Sequence, residues 1–435
     1  IVTLLGIYCM TQIYIYLPTQ IFVMGVVVFI VILALLWLTH YKVPKVSVVV
    51  EVLVCGCLIA GVFATNKVNT FTEKVTETKE VETVQIVALK DSKITKEQSF
   101  NKLTMAYLQE DNNAYTRSSE ILKDNKKKVK KEKPYKNMEL AYKDLKNHKV
   151  DLLVLTNLSK SDLSSVEENY PDQIKVILSK DYALESAKAK SVNISKEPFT
   201  IYFQGADLSS GDNINSVGRG DVNILLTVNP NTKKVNMQVI PRDLFVYIPC
   251  KDASSKLSYS GWWGGIQSSI ASIEKALDVE INYFARTNFS GMTNIVDALG
   301  GVTIDSDYKF TTLHGNYNIV KGENQMDGDK ALCFVRERYS LPNGDFDRGK
   351  NQQKLLKAML EKAMSPKIIT NFNNILTAIE GSFETDMSSK EIKSLLNMQL
   401  NDMSDWTVYN VQVEGEGYKT SKTASMYGTE VYVMK

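Results

Sequence analysis

The stretch "GRGDVNILLTVNPNTKKVNMQVIPRDLF" (Gly218–Phe245) contains two apolar runs, with charged residues standing just outside both of them. The runs, "DVNILLTVN" and "VNMQVIP", are rich in β-branched residues and predict two strands of a sheet. Arg219 and Asp221 stand at the start of the first strand, and Arg242 follows the second. Because ligands bind at strand ends in α/β folds, the stretch predicts a binding edge as well as a sheet.

Charged residues also follow the other strands predicted in this part of the chain. A strand at Phe199–Phe203 leads to Asp207, and the apolar run "ALCF" leads into Arg336 and Arg338. We predict a buried strand at Ala331–Arg336, which would present both arginines on one face because the side chains of a strand alternate.

The segment "NGDFDRG" that follows predicts a glycine-containing turn, which would return Asp345, Asp347 and Arg348 toward the same place. A long amphipathic helix is predicted from about Arg348 onward. The alternative for the segment is a solvated edge with surface ion pairs, each of which contributes only about 0–1 kcal/mol.

Several arginines beside two or three aspartates would stabilise a fold poorly but would bind a diphosphate well. A guanidinium offers planar, bidentate donors to phosphate oxygens. Carboxylates can hold Mg²⁺, which keeps several waters and bridges substrate phosphates. With helices predicted at Ser268–Leu277 and Gly291–Leu299, the strands predict an α/β sandwich of roughly 235 residues.

The whole chain has 435 residues, which predicts two or more domains, and its net charge of +2 argues against a globally basic nucleic-acid binder. Three apolar runs open it, at Ile1–Leu17, Gln20–Leu38 and Val46–Ala64. Each run is about long enough to cross a bilayer core of roughly 30 Å. A signal peptide would be a single run with a cleavage site, so three membrane spans are predicted.

The loops between the runs predict the orientation of these spans. The first loop, "PTQ", is uncharged, whereas the second carries Lys42 and Lys45, and positive residues stay cytoplasmic. Everything after about Asn66 is therefore expected outside the cell. The sequence does not begin with Met, which leaves open whether the first span is complete.

A smaller α/β domain is predicted between the membrane spans and the sandwich. Residues 67–82 are rich in Thr and charge and predict a stalk or a loosely ordered helix. "TVQIVAL", "VDLLVLT" and "QIKVILS" predict strands, whereas "SFNKLTMAYL" and "NMELAYKDLKNH" predict helices. Residues 183–198 predict a linker.

Two features outside the membrane runs keep alternative interpretations. The lysine-rich "KDNKKKVKKEKPYK" (Lys123–Lys136) is either a solvated loop, which we favour, or a contact for anionic wall polymer or lipid headgroups. Cys250 and Cys333 are the cysteines expected outside the membrane, and a disulfide between them is open in an oxidising compartment.

Three motifs together resemble one family. "GADL…GRGDVNILLTVNPNTKKVNMQVIPRDLFVYIP", "YFARTNFSGMTNIVDALGGVTI" and "ALCFVRERYSLPNGDFDRGKNQQKLL" are similar to the LytR–CpsA–Psr domain of Gram-positive bacteria, from about Phe199 to about Lys362. With three spans and an interposed small domain, the chain resembles the capsule-locus branch. The resemblance implies an α/β/α sandwich around a mixed sheet. The expected boundaries are membrane helices at 1–66, stalk and accessory domain at 67–197, and catalytic domain at 198–435.

The resemblance also implies roles for individual residues. Asp207 and Asp221 would hold the metal ion, and Arg336, Arg338 and Asp345 are the catalytic candidates. The general base stays open, and Asp345 is a candidate for it because it lies in the predicted turn. The expected phosphate-binding residues are Arg219, Arg242, Lys256, Arg348 and Gln352.

One motif departs from the family pattern. Many members have a Lys-(Ile/Leu)-Asn/Thr-His-Ala motif where this chain has "KLSYSGWWGG", so Tyr259 stands in place of the His. This chain therefore has no His at that position to perform the role. The family's apolar lipid tunnel would be lined by residues such as those of "NIVDALGG" (Asn294–Gly301), for which ordinary core packing is the alternative.

The function implied is a Mg²⁺-dependent phosphotransferase that moves a polyprenyl-diphosphate-linked glycopolymer, such as capsular polysaccharide, onto peptidoglycan and releases polyprenyl phosphate. Its partners would be the lipid-linked glycan, peptidoglycan, the bilayer and other capsule-synthesis membrane proteins, but no nucleic acid. Two alternatives remain, a non-enzymatic capsule-synthesis regulator that binds polyprenyl phosphate and a polyprenyl-diphosphate hydrolase. The paired carboxylates weigh against the regulator, because they repel an anion that binds alone.

Overall fold

The structure, a computed structural model, begins with three helices. The helices are α1 (Val2–Ile13), α2 (Thr19–Lys42) and α3 (Pro44–Thr76). The residues that the structure describes are 2–14, 19–76, 79–109, 111–167, 169–208, 213–364, 375–378, 380–402, 405–413, 415–424 and 430–435.

Two of these helices are long and apolar enough to cross a membrane. The spans run from Phe22 to Lys42, with a mean hydropathy of 2.9, and from Pro44 to Lys67, with a mean hydropathy of 2.6. Large apolar side chains such as Trp37 are exposed on them. α1 is apolar but has only 12 residues. The N-terminal helices therefore have the length and composition of a membrane anchor.

α3 continues well past its apolar part and packs on the domain that follows the linker. Lys67 donates a hydrogen bond to Thr377 (3.0 Å), and Lys393 donates one to Asn69 (2.6 Å). The segment predicted as a stalk or loose helix is thus helical to Thr76 and docked against that domain.

The accessory domain is built on a five-stranded mixed sheet of order β3-β2-β4-β1-β5. Its strands are β1 (Val81–Leu89), β2 (Thr104–Leu108), β3 (Lys131–Tyr135), β4 (Leu152–Leu155) and β5 (Ile174–Ala183). Its helices are α4 (Asn112–Asp124), α5 (Met138–Lys146), α6 (Asn157–Val166) and α7 (Tyr170–Gln173).

Two predictions for this domain are wrong. The segment 99–108 is not a helix, because its apolar end forms β2, which lies between β3 and β4 and is buried on both faces. Strands covered on both faces read as continuous apolar runs rather than alternating ones. The lysine-rich segment is not entirely a loop, because Lys131–Tyr135 forms the edge strand β3, and edge strands commonly carry lysines.

A six-stranded mixed sheet forms the centre of the larger domain, in the order β16-β11-β6-β7-β8-β17. Its strands are β6 (Phe199–Asp207), β7 (Arg219–Asn229), β8 (Lys234–Val239), β11 (Tyr283–Asn288), β16 (Phe383–Thr385) and β17 (Thr407–Gln412). The peripheral strands are β9 (Phe245–Ile248), β10 (Ala253–Lys256), β12 (Val302–Ser306), β13 (Phe310–Thr311), β14 (Asn318–Ile319), β15 (Gly322–Met326), β18 (Gly417–Thr420) and β19 (Val431–Met434).

Helices cover both faces of this sheet, as the predicted α/β/α sandwich requires. They are α8 (Ser260–Leu277), α9 (Phe289–Ala298), α10 (Gly328–Arg336), α11 (Asp345–Met364) and α12 (Ser389–Asp402). Because side chains alternate along a strand, neighbouring residues of β7 belong to cores on opposite faces of the sheet. Leu225 packs with α8, whereas Ile224 packs with α11.

α10 corrects the prediction of a central strand at Ala331–Arg336. The segment is helical from Gly328, and the Asp327 side chain caps it by accepting a hydrogen bond from the Lys330 amide. Ala331 and Phe334 are buried on one helical face. Arg336 and Arg338 therefore do not share the face of a strand, and Arg336 is the last residue of the helix.

Glu80, at the start of the accessory domain, forms hydrogen bonds with the larger domain. Its carboxylate accepts hydrogen bonds from Arg286 (2.5 Å) on β11 and from the amide of Ile266 (2.6 Å) on α8. Arg286 is 1% exposed and also lies 3.4 Å from Glu384 on β16. Gly265, at φ +64°, leaves the space for Glu80, because a Cβ there would lie 2.0 Å from its Oε2.

The cysteines expected outside the membrane are both free thiols in the structure. Cys250 precedes α8, where its sulfur lies 3.1 Å from Ser268 Oγ, whereas Cys333 lies in α10. The disulfide that the sequence left open is therefore not formed.

Candidate active site

The charged residues meet at one edge of the central sheet because of how its strands are paired. β6 and β7 are antiparallel, and their register sets Asp207 opposite Arg219. β11 is parallel to β6, so Asn288 at its end lies beside this pair of residues. β7 and β8 are also antiparallel, so Arg242, which follows β8, lies near the start of β7.

Two arginines and two aspartates alternate along this edge. Arg219 donates a hydrogen bond to Asp207 (2.7 Å), and Arg242 donates one to Asp221 (2.6 Å). Arg219 Nε also lies 3.9 Å from Asp221 Oδ1. All four side chains are 17–26% exposed, so one side of the row remains accessible to a ligand.

Three further arginines come from the end of α10, the loop after it and the first turn of α11. The Arg336 guanidinium lies over the ring of Phe289, 4.8 Å from its centroid. Arg338 and Arg348 flank Asp345, at 3.7 Å and 3.4 Å from its Oδ1. The segment predicted as a turn does return to the same place, and α11 begins at Asp345 rather than near Arg348.

Glu337 organises this segment, and the sequence prediction missed it. The side chain is 3% exposed, and it accepts hydrogen bonds from the amides of Leu313, Arg338, Tyr339 and Ser340. Burial opposes its charge, but the four amide donors outweigh burial and lower the pKa of Glu337. An ionised Glu337 therefore holds the backbone that positions Arg338.

A cavity of about 380 Å³ lies in front of this edge. Its charged mouth is lined by Asp207, Arg219, Asp221, Arg242, Arg336, Arg338, Arg348 and Gln352. The interior is lined mainly by apolar side chains from β6, β7, α9, α10 and α11, namely Phe203, Val222, Ile224, Phe289, Met292, Val335, Leu355, Leu356 and Met359. Thr287, Asn288, His314 and Tyr339 also line the cavity. Five arginines against two aspartates leave the described mouth with an excess of positive charge, which suits an anionic ligand.

Burial and neighbouring charges shift the pKa values of two arginines at the mouth. Burial lowers the pKa of Arg348, and the nearby Arg242 and Arg338 act in the same direction against the attraction of Asp345. Burial also opposes the charge of Arg219, but Asp221 and Asp207 outweigh it and raise the pKa of Arg219. An anionic ligand bound at the mouth would therefore stabilise the charged form of these arginines.

The structure brings together eight of the ten residues predicted for the site, which are those that line the mouth. Lys256 does not line the cavity, and its Nζ lies 2.9 Å from Asp243 Oδ1 instead. Asp345 lies behind Arg338 and Arg348 rather than in the cavity wall. Of the predicted tunnel residues, Val296 packs in the core, and the lining comes from the preceding turn of α9.

Tyr259, at the position of the family His, lies in an aromatic cluster beside the mouth. Its ring packs edge-on against Trp262, and the Arg219 guanidinium lies 5.2 Å from the Trp262 ring. Burial raises the pKa of Tyr259, and Asp162 of the accessory domain raises it further. Tyr259 therefore stays a neutral phenol, and the accessory domain reaches this side of the site.

The aspartates at the mouth fit a Mg²⁺ ion that is shared with a substrate. Asp221 Oδ1 is buried but accepts no hydrogen bond from any described residue, although Arg242 occupies the other oxygen. The described ranges contain no cluster of three or more protein ligands. Mg²⁺ typically takes one or two carboxylates and completes its shell with water and phosphate oxygens, which matches this arrangement.

Comparison with known proteins identifies relatives of this chain. The TagU polyisoprenyl-teichoic acid–peptidoglycan teichoic acid transferase of Bacillus cereus is 33% identical over 238 residues, which are 54% of this chain and 76% of that protein. The Enterococcus faecalis TagU is 31% identical over 213 residues, 49% of this chain and 69% of that protein. The crystal structure of B. subtilis TagU is 28% identical with a TM-score of 0.42, covering 55% of this chain and 91% of that structure. The LytR_cpsA_psr family profile matches residues 172–434, more than half of the chain, which therefore belongs to the LytR_cpsA_psr family.

Proposed function

We propose that this chain is a phosphotransferase that moves a glycopolymer from a polyprenyl diphosphate carrier onto peptidoglycan. The observation that carries the proposal is the cavity, which joins a mouth of five arginines to an apolar interior. A polyprenyl diphosphate has the same two parts, an anionic head and an apolar chain. The teichoic acid transferases that the chain resembles are named for the same class of reaction.

The apolar interior suits the isoprenoid chain. Phe203, Ile224 and Leu356 present only carbon atoms to the cavity from the sheet and from α11. Burial of apolar surface contributes about 25 cal/mol per Å², so even a few isoprene units would anchor the lipid strongly. The diphosphate would then lie among the arginines at the mouth.

In the proposed step, a peptidoglycan sugar hydroxyl attacks the sugar-linked phosphorus. A bond forms between that oxygen and phosphorus, and the bond from phosphorus to the bridging oxygen breaks, so that polyprenyl phosphate leaves. Arg219, Arg242 and Arg336 would neutralise the charge that grows on the leaving oxygen, because phosphoryl transfer depends on positioning and charge stabilisation. The hydroxyl proton would pass to Asp345, which stands beside Arg338 and Arg348.

Asp207 and Asp221 are the residues that would hold Mg²⁺, and Asp221 Oδ1 accepts no hydrogen bond from the described residues. The ion would supply charge neutralisation at the phosphate oxygens. Arg219 and Arg242 bridge to these aspartates and would keep both carboxylates oriented when substrate is exchanged.

The substrate and the location follow from the same proposal. We propose capsular polysaccharide as the glycopolymer, because the membrane helices and the accessory domain precede the catalytic domain as in the capsule-locus branch. The helices would make a multi-pass anchor with the catalytic domain outside the cell. The lipid-linked glycan, peptidoglycan, the bilayer and other capsule-synthesis membrane proteins would be its partners.

The test is a transfer assay with the full-length protein in lipid nanodiscs. A lipid-linked oligosaccharide, peptidoglycan and Mg²⁺ are supplied, and covalent attachment of the oligosaccharide to peptidoglycan is measured. Arg348→Ala should lose transfer, whereas Lys357→Ala, which removes a cation from the same helix at an exposed ion pair, should retain it. Bound lipid without turnover would support a regulator, and release of free oligosaccharide would support a hydrolase. Either result would overturn the proposal.

A further inference from the structure

A second cavity, of about 250 Å³, adjoins the first one. The two cavities share part of their walls, namely Asp221, Arg242, Arg348 and Gln352. The rest of the second cavity is formed by the segment after β8, the beginning of α11 and the C-terminal strand β19. A ligand there would therefore lie next to a phosphate held by the shared arginines, but outside the apolar interior.

The C-terminal hairpin of β18 and β19 closes this second cavity. The amide of Met434 donates a hydrogen bond to the carbonyl of Asp243 (2.9 Å), and Met434 pairs with Leu244 as an isolated bridge. Met434 and Tyr432 then form one wall. The hairpin thus contributes side chains to a place that the arginines border from the other side.

Polar groups on the remaining walls are able to bind hydroxyl groups. Asp345 Oδ1 is buried and accepts no hydrogen bond from any residue in the described ranges, although two arginines lie within 3.4 Å and 3.7 Å of it. Asp243 is 8% exposed and is paired with Lys256. Carboxylates accept hydrogen bonds from the hydroxyl groups of a sugar.

Tyr432 adds an aromatic surface to these polar walls. Tyr432 is 46% exposed, and its ring lies against Gly417 of the paired strand. A Cβ at residue 417 would lie 2.1 Å from the Tyr432 hydroxyl oxygen, so the absence of a side chain there leaves room for the ring. An exposed aromatic ring beside polar acceptors suits a sugar, which has an apolar face and a rim of hydroxyl groups.

We infer that the second cavity is the subsite for the acceptor saccharide, a peptidoglycan sugar whose hydroxyl group attacks the phosphorus. This inference rests on the proposed function. Pockets for drug-sized ligands measure about 300–1,000 Å³, so 250 Å³ suits one sugar ring and excludes a long lipid.

The geometry of the reaction favours the acceptor over the lipid phosphate as occupant. Attacking and leaving oxygens lie roughly in line at phosphorus, so the acceptor must approach from a side that the departing lipid phosphate does not occupy. The apolar interior assigns the lipid to the first cavity, and the second cavity borders the same arginines without that interior. A hydroxyl group bound there would meet Asp345, which takes its proton as the new oxygen–phosphorus bond forms.

The experiment compares full-length wild type with Tyr432→Ala. Tyr409→Ala is the matched control, because Tyr409 is 48% exposed on the edge strand β17 and lines neither cavity. The acceptor KM is measured with soluble peptidoglycan fragments, the affinity for the lipid-linked donor is measured separately, and binding of the fragments alone is measured without donor. Tryptophan fluorescence on heating checks that each variant is folded.

Tyr432→Ala should raise the acceptor KM roughly tenfold, with donor affinity unchanged, because an aromatic contact of this kind contributes on the order of one factor of ten. Tyr432→Phe, which keeps the ring, should stay close to wild type. An unchanged acceptor KM, or a loss of donor affinity, would overturn the inference. If wild type transfers nothing, the proposed function fails, and fragment binding still decides the subsite: equal binding by wild type and Tyr432→Ala would overturn it.

Discussion

Replacing Glu384 with Gln should make the catalytic domain more stable above neutral pH. Glu384 is 2% exposed and lies 3.4 Å from Arg286, which also pairs with Glu80. Burial raises the pKa of Glu384 from 4.5 to about 7, with Arg286 opposing the shift and Glu80 adding to it. The folded protein therefore keeps a proton on Glu384 under conditions in which the unfolded chain has released it.

The sign of the effect follows from the higher pKa of the folded state. Folding is favoured at low pH, and the free energy of unfolding decreases as the pH rises from 4.5 through about 7. Since one pKa unit corresponds to about 1.4 kcal/mol, the loss between pH 5 and pH 8 is roughly 2.5 kcal/mol. For a domain of this size, that loss lowers the unfolding temperature by about 5–10 °C.

Tryptophan fluorescence during heating of the full-length protein measures this domain, because three of the four tryptophans, Trp262, Trp263 and Trp406, lie in it. Wild type should unfold several degrees below Glu384→Gln at pH 8 and should approach it at pH 5. The exposed Glu361→Gln serves as control and should follow wild type. Parallel pH profiles for all three proteins would refute the reasoning, because Glu384 would then be ionised throughout.

Three further predictions concern the mouth and the cavity. Arg336→Ala should reduce transfer by on the order of 10²-fold without lowering the unfolding temperature, because the side chain is exposed and its guanidinium lies over the Phe289 ring; a destabilised but fully active variant would contradict this. Asp221→Ala should weaken the dependence of transfer on Mg²⁺, measured as rate against metal concentration; an unchanged metal titration would exclude Asp221 as a ligand. Met359→Glu should reduce the isoprenoid phosphate that native mass spectrometry detects on the purified protein, because a carboxylate would enter the apolar interior; equal loading would place the lipid elsewhere.

Much of the site could be predicted because charged residues at the ends of strands are visible in the sequence. Asp207, Arg219 and Arg242 flank strands that are neighbours in the sheet, and their convergence follows from the pairing of those strands. Ala331–Arg336 forms a helix rather than the predicted strand, but Arg336 still lies at the mouth of the cavity. It lies at the end of the segment in either conformation.

The error at α10 has a physical origin that the sequence partly reveals. Four consecutive apolar residues are compatible with a buried strand or with one turn of a helix. The buried residues Ala331, Phe334 and Val335 have helical spacing, and Asp327 supplies a cap for the amide of Lys330. A search for the cap would have favoured the helix.

The second cavity could not be predicted from the sequence, because it depends on contacts between distant segments. Tyr432 and Asp243 are separated by almost 190 residues, and β18 and β19 are only four residues long. Such short strands carry too little periodicity to be recognised. The role of Glu337 could not be predicted for a similar reason. Its carboxylate binds the amide of the distant Leu313 as well as amides of its own loop.

The docking of α3 on the catalytic domain has a consequence for where in the wall the reaction could take place. The bonds from Lys67 to Thr377 and from Lys393 to Asn69 hold the described end of α3 against the catalytic domain, and Glu80 is buried against the same domain. Under the proposed function, the height of the site above the bilayer is therefore fixed by the protein itself. Glycan strands at that height, in the layer nearest the membrane, would receive the polymer, and strands farther out would not. The anchor would thus limit transfer to glycan strands at one distance from the membrane.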